Sequence, residues 1–368
     1  MRKIQLAKML QCNVADGELL IENEEVKEFL LSLDERINTK QFNRICLGLK
    51  ENIPIEHVEL YAKREYQPYQ MEQILQGFKD GLTKTQVEVY LNPELDAYQM
   101  EYIRKSLKLY PVQAVKLFAD PRFDVTQMKV IEKGYVAGLS NRRISVFADP
   151  KFTSYQMEVL CNALIDKVSL DKIKIAADPK FSERQMDEIC KGFIHKLPTY
   201  QVMIYAKDWY EGRQMEIIRR GYENGFTEEQ IRLYTAYNFN YNQMTEIYLG
   251  LLNYLSVDQV KTYAKLEYNF KQMQQIRMGY ELRMDKRYVE CYLNPAFTFE
   301  QMKSIKHCLI NGFSLKDTKF VANPDYPVKL MQKLRHGISK GYSEAELQKT
   351  IEIYFGEKVT NLIQLLNN

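Results

Sequence analysis

From residue 41 onward the apolar residues of the chain return at helical spacing inside a unit of nearly constant length. Counted from a recurring glutamine as position 1, they occupy positions 2, 5, 9, 13, 18, 20 and 21. Offsets of three and four residues place such side chains on one face of a helix. The gap between positions 13 and 18 separates two helices, so each unit reads as a pair of about 12 and 9 residues joined by tight turns. The unit is marked by the dipeptide Gln-Met, at Gln70-Met71, Gln99-Met100, Gln127-Met128, Gln156-Met157, Gln185-Met186, Gln214-Met215, Gln243-Met244, Gln272-Met273 and Gln301-Met302. Successive copies are 29 residues apart, except for the step of 28 from Gln99 to Gln127. Looser copies at Gln41-Phe42 and Leu330-Met331 extend the series to eleven units, residues 41 to about 358. Internal periods of this size are the mark of a solenoid, in which each unit packs on its neighbours.

The polar and small positions punctuate the same unit. Position 8 is small throughout: Gly48, Gly77, Gly134, Gly192, Gly221, Gly250, Gly279 and Gly337, or else Ser106, Ala163 and Cys308. Glycine inside a helix costs about 1 kcal/mol against alanine, so close approach of another helix is expected there. Position 12 holds Gly81, Gly138, Gly225, Gly312 and Gly341, suited to the left-handed residue that ends a helix. Position 14 then supplies N-caps for the second helix, among them Thr83, Ser140, Ser169, Thr227, Ser256, Asp285, Ser314 and Ser343. That helix ends before Pro93, Pro121, Pro150, Pro179, Pro295 or Pro324.

The recurring glutamine stands three residues after another set of cap residues: Asp96, Asp124, Thr153, Ser182, Asn240, Asn269 and Thr298. Its amide can reach back to the cap N–H, completing a capping box. An aromatic residue precedes the cap, as at Phe123, Phe152, Phe181 and Phe239, where a hydrophobic staple would set it against the methionine. Gln-Met is therefore expected to be scaffolding for the start of a helix and not chemistry.

The fold class this predicts is all-α, a single solenoid of about eleven 29-residue helix pairs. Residues 1–40 form an N-terminal helical cap, 41–358 the repeat array and 359–368 a C-terminal cap or tail. At the ~8–10 Å spacing of packed helices, eleven pairs give a curved rod on the order of 100 Å long.

The plan resembles helical-hairpin solenoids of the TPR and HEAT kind, although the period is shorter and their signature residues are missing. The stretch "QMKVIEKGYVAGLSNRRISVFADPKF", Gln127 to Phe152, more closely resembles a 29-residue repeat of uncharacterised proteins from gut bacteria, many of them on mobile genetic elements. The resemblance covers about 320 residues. It implies a helical array in a bacterial cytoplasm, with a host defence or replication protein as a sensible target, and it carries over no catalytic residue. The chain departs from that pattern at position 24 in three successive units, where Asp208, Tyr237 and Leu266 replace the proline.

Composition narrows the function further. Charged residues are 27% and hydrophobic residues 45% of the 368, as in a folded domain. The formal charge is only +3, which demands no anionic partner. Lys8 interrupts what would be the apolar stretch of a signal peptide, and Cys12, Cys46, Cys161, Cys190, Cys291 and Cys308 include no C-x-x-C pair. A cytoplasmic protein with reduced thiols and no membrane span is expected. The four histidines, His57, His195, His307 and His336, are not set out as metal ligands, although the last two share position 7 of adjacent units. No phosphate-binding loop, nucleophile elbow or H-E-x-x-H motif is present. The chain reads as a non-enzyme without cofactor, metal or evident small-molecule substrate.

Two surface patterns remain as candidates for binding. Aromatic residues exceed the needs of the core between residues 200 and 270, at Tyr200, Trp209, Tyr237, Tyr241, Tyr248, Tyr254 and Phe270, with Arg213, Arg219 and Arg220 among them. Aromatics beside arginine are the usual makings of a protein-binding hot spot, and a protein partner at this patch is the leading expectation. The alternative partner is nucleic acid, on a ridge of cations at positions 6 and 7: Arg104, Lys105, Lys133, Lys191, Arg219, Arg220, Arg277, Lys306 and Arg335. The plainer reading of those cations is that they suit the C-terminal half of a helix.

Overall fold

A computed structural model describes residues 24–366, with side chains as far as residue 356. Residues 1–23 of the expected N-terminal cap, and the side chains of the expected C-terminal tail, lie outside the described residues. The described residues are helical with no strand. Two compact units divide the chain, Met1–Ile194 and His195–Asn368.

In the first unit, first helices run Thr39–Lys50, Pro68–Lys79, Ala97–Leu107, Val125–Val136, Ser154–Ile165 and Glu183–Ile194, each packed on the next. In the second they run Gly212–Glu223, Tyr241–Leu252, Phe270–Glu281, Phe299–Ile310 and Val328–Ser339, packed in the same way. All are 12 residues long except Ala97–Leu107, which has 11 and precedes the step of 28. The second helices are shorter than the sequence suggested, from four residues at Lys84–Val87 to eight at Glu228–Thr235. After Val87 the chain tightens into three-residue turns, with Val89 N–H donating to Gln86 at 3.2 Å and Tyr90 N–H to Val87 at 3.1 Å. The 23-residue helix Glu344–Leu366 packs on Val328–Ser339.

The recurring glutamine closes its capping box as expected. Its Oε1 accepts from the cap N–H at 2.9 Å for Asn38 and Gln41, 2.8 Å for Thr153 and Gln156, and 2.8 Å for Asn269 and Gln272. The other end of the same amide does something the sequence did not disclose. Nε2 of Gln41 donates to the carbonyls of Arg64 and Tyr66, at 3.0 and 2.7 Å, in the loop that leads into the next first helix. The bond recurs from Gln99 to Phe123, Gln127 to Phe152, Gln214 to Phe239, Gln243 to Tyr268 and Gln301 to Tyr326, at 2.7–2.8 Å. One side chain thus caps its own helix and ties it to the following repeat. Glutamine can do both because its amide carries an acceptor and two donors, whereas an ionised glutamate only accepts. Leu330 breaks the pattern where Glu344–Leu366 continues as one helix and offers no such loop. The methionines beside the glutamines are buried, as are Phe123, Phe152, Phe181 and Phe239 before the caps.

Position 8 is small because an aromatic ring of the second helix lies on it. A Cβ built on Gly77 would sit 1.9 Å from the Tyr90 hydroxyl, one on Gly250 2.0 Å from that of Tyr263, and one on Gly279 1.8 Å from that of Tyr292. The helix approached is the partner in the same pair. At Ala163 and Cys308 the residue thirteen further on is the smaller Ala176 or Val321 in place of an aromatic. At position 12 the left-handed residue is general: Gly81, Gly138, Gly225, Gly312 and Gly341 have φ of 75–82°, and Asn52, Lys167, Lys196, Tyr254 and Arg283 have φ of 56–67°.

Candidate binding surfaces

Position 6 of a first helix is not a surface position. Each first helix has neighbours before and after it in the row as well as its own second helix, so its buried face is wide enough to take in this position. Arg104, Arg219, Arg277 and Lys306 are all less than one-tenth exposed. The Arg104 guanidinium pairs with Asp80 and donates to Gln73 at 3.3 Å. Burial opposes it, but Gln76, Arg104 and Lys108 hold the Asp80 carboxyl below its ordinary range. Arg219 meets Glu223 at 2.6 Å, and Arg277 meets Glu246 at 2.8 Å and Glu281 at 2.5 Å. Lys306 donates to Gln275 at 2.8 Å, and burial, helped by Lys303 and Arg277, pushes its pKa down to about 8. Arg335 is half-buried, with Ser304 3.4 Å away.

Position 7 does face solvent, and its cations are paired. Lys105 meets Glu101 at 2.6 Å, Lys133 meets Glu158 at 2.9 Å, and Lys191 meets Asp187 at 2.6 Å. Arg220 lies 3.8 Å from Glu216. The expected ridge is therefore corrected: half of it is interior, and the exposed half is interleaved with carboxylates.

The aromatic candidates divide in a similar way. Tyr248 is buried, with Asn224 donating to its hydroxyl at 3.0 Å and the Arg220 guanidinium 5.7 Å from its ring. Tyr248 and Arg219 belong to the interior, contrary to the sequence reading, because both occupy position 6. Tyr241 is half-buried under the Arg213 guanidinium at 5.7 Å. Trp209 and Tyr237 are 69% and 58% exposed, and so is Leu266 at 54%. These three occupy consecutive loops between a second helix and the next first helix, three of the four loops without proline at position 24, the fourth carrying Arg64 there.

The loss of proline alters the backbone at only one of them. Lys207 N–H still donates to Tyr205 and Lys265 N–H to Tyr263, as Asp149 N–H does to Phe147 in a proline-bearing loop. Only at 237 does the bond shift, with Phe239 N–H donating to Tyr237 at 2.8 Å. Sequence reasoning passed over Leu266 as a surface residue. It also passed over Tyr69, Tyr98 and Tyr155, exposed tyrosines just before the recurring glutamine. Their signal was their place on the solvent side of a helix whose core positions were already assigned.

Among the described residues no three His, Cys, Asp or Glu side chains are grouped to hold a metal ion. Burial pushes the thiols of Cys161 and Cys308 up to about 11 and that of Cys190 to about 12, which keeps them protonated and unreactive at neutral pH. No helix among the described residues is long and apolar enough to cross a membrane. No protein-family model matches the chain, and no curated protein is significantly similar to it.

Proposed function

We propose that the chain is a non-catalytic protein-binding scaffold, an array of eleven helix-pair repeats whose contact surface is the row of loops carrying Trp209, Tyr237 and Leu266. The observation that supports this reading is the coincidence of two departures in the same three loops. Proline is lost and a large apolar side chain stands in solvent. Lys207, 5.8 Å from the Trp209 ring, and the exposed Arg213 add a cationic rim. Apolar anchors with a polar rim are the composition of protein interfaces. The burial of most cations at position 6 and the pairing of those at position 7 weigh against nucleic acid, whose binding draws on accessible, unneutralised charge. The resemblance to mobile-element repeats directs the search for a partner to host defence and replication proteins.

Affinity capture from bacterial lysate tests the proposal, with and without nuclease, for wild type and for Trp209→Ala/Tyr237→Ala/Leu266→Ala. The expected result is a discrete protein that survives nuclease, is lost in the triple variant and is retained by Tyr98→Ala/Tyr155→Ala. Recovery of nucleic acid that vanishes with nuclease and rising salt would overturn the reading.

A further inference from the structure

Position 6 of a first helix faces positions 4 and 11 of the first helix before it. Arg104 lies against Gln73 and Asp80, Tyr248 against Asn224, Arg277 against Glu246 and Lys306 against Gln275. Arginine at this position has a carboxylate: Asp80 for Arg104, Glu223 for Arg219, Glu246 and Glu281 for Arg277. Arg335 is the exception. The facing positions hold Ser304 and Asn311, and Ser339 stands in its own helix where Arg219 and Arg277 have Glu223 and Glu281. Its Nε is buried with no hydrogen-bond partner, and its contact with Ser304 is a long 3.4 Å.

In front of this arginine is a groove of about 530 Å³, lined by Asn311, Phe313, Gln332, Arg335, His336 and Ser339. Every polar side chain in that lining can donate a hydrogen bond, and none is acidic. The surroundings are positive as well: burial, then the charges of Arg335, Lys303 and Lys306, hold the neighbouring His307 below its ordinary range. We propose that the groove binds an oxyanion, the phosphate or carboxylate group of a small ligand, with Arg335 as its principal donor. The ligand supplies the charge that Asp80 supplies to Arg104 within the chain. A guanidinium that lacks a carboxylate partner suits charge-assisted recognition of such a group through its terminal nitrogens.

The test is calorimetric titration of the full chain with inorganic phosphate and, separately, with succinate, in chloride buffers of matched ionic strength. Saturable binding of at least one is expected, and the preference between them identifies the oxyanion. Arg335→Gln lowers the affinity by about tenfold or more, the loss of a charge-assisted bond. Asn311→Asp, which restores the carboxylate at the place Asp80 occupies, abolishes binding in a chain at least as stable as wild type. Arg122→Gln, at an exposed arginine paired with Asp120, leaves binding unchanged. Failure of both anions to bind saturably would overturn the proposal, and so would binding that is indifferent to Arg335→Gln and Asn311→Asp.

Discussion

A glycine and a tyrosine thirteen residues apart share one volume in this protein, and the sign of a substitution depends on which is changed first. In wild type, Gly250→Ala drives a methyl group into the Tyr263 hydroxyl, 2.0 Å from where its Cβ would stand. Overpacking of this kind costs about 1–3 kcal/mol. In a Tyr263→Ala background the obstacle is gone, and the same change gains about 1 kcal/mol of helix propensity. Denaturant midpoints of the four proteins in the cycle check the reversal. Lys306 makes a second residue-scale case. Its folded pKa of about 8 lies below the ordinary 10.5, so above pH 8 the unfolded chain binds more protons and stability rises with pH. The buried thiols, with raised pKa values, pull the other way once they ionise in the unfolded chain near 9. Wild type is therefore expected to gain stability relative to Lys306→Met between about pH 8 and 9, as read by urea unfolding at a series of pH values. Equal pH profiles would contradict the burial of that ammonium.

At the scale of the element, the first helix and its ends were legible in the sequence because their determinants are local. Caps lie within three residues of the groups they bond, and glycine at position 12 announced the left-handed turn. The structure extends that turn to residues that pay for it in strain: Lys167, Lys196 and Arg283 adopt φ of 67°, 65° and 56°. A left-handed conformation costs a residue with a Cβ about 1–2 kcal/mol. Replacing each by glycine is expected to raise stability by about 0.5–1 kcal/mol after the entropy of the unfolded chain is counted, measurable as additive shifts in the thermal midpoint. Asn52 gains less, since asparagine tolerates this region. What the sequence did not disclose depends on the offset between helices. Arg104 and Asp80 are 24 residues apart and Arg277 and Glu246 are 31, separations that no helical period connects. Arginine at position 6 therefore read as surface. The length of the second helices was hidden for a related reason, because their tightening after Val87 accompanies the placement of Tyr90 over Gly77.

At the scale of the whole molecule, stability in a repeat protein is a sum of internal terms and junctions between neighbours. The recurring glutamine contributes to both through the two ends of one amide. Trp209, Tyr237 and Leu266 take no part in that junction, and the proposed function assigns them to a partner, so that separation of roles underlies the proposal. The measurement that tests it most directly is denaturant unfolding, followed by circular dichroism, of Gln243→Glu and Gln243→Ala at pH 7. Glutamate keeps the acceptor that caps the helix but sets a carboxylate against the Tyr268 carbonyl, now bonded by the amide at 2.8 Å. The account predicts that Gln243→Glu is destabilised by about 1–3 kcal/mol, at least as much as Gln243→Ala. It also predicts that the loss shrinks in acid, where the protonated carboxyl regains a donor. A Gln243→Glu protein as stable as wild type at neutral pH would contradict it, and would reduce the glutamine to a helix cap alone.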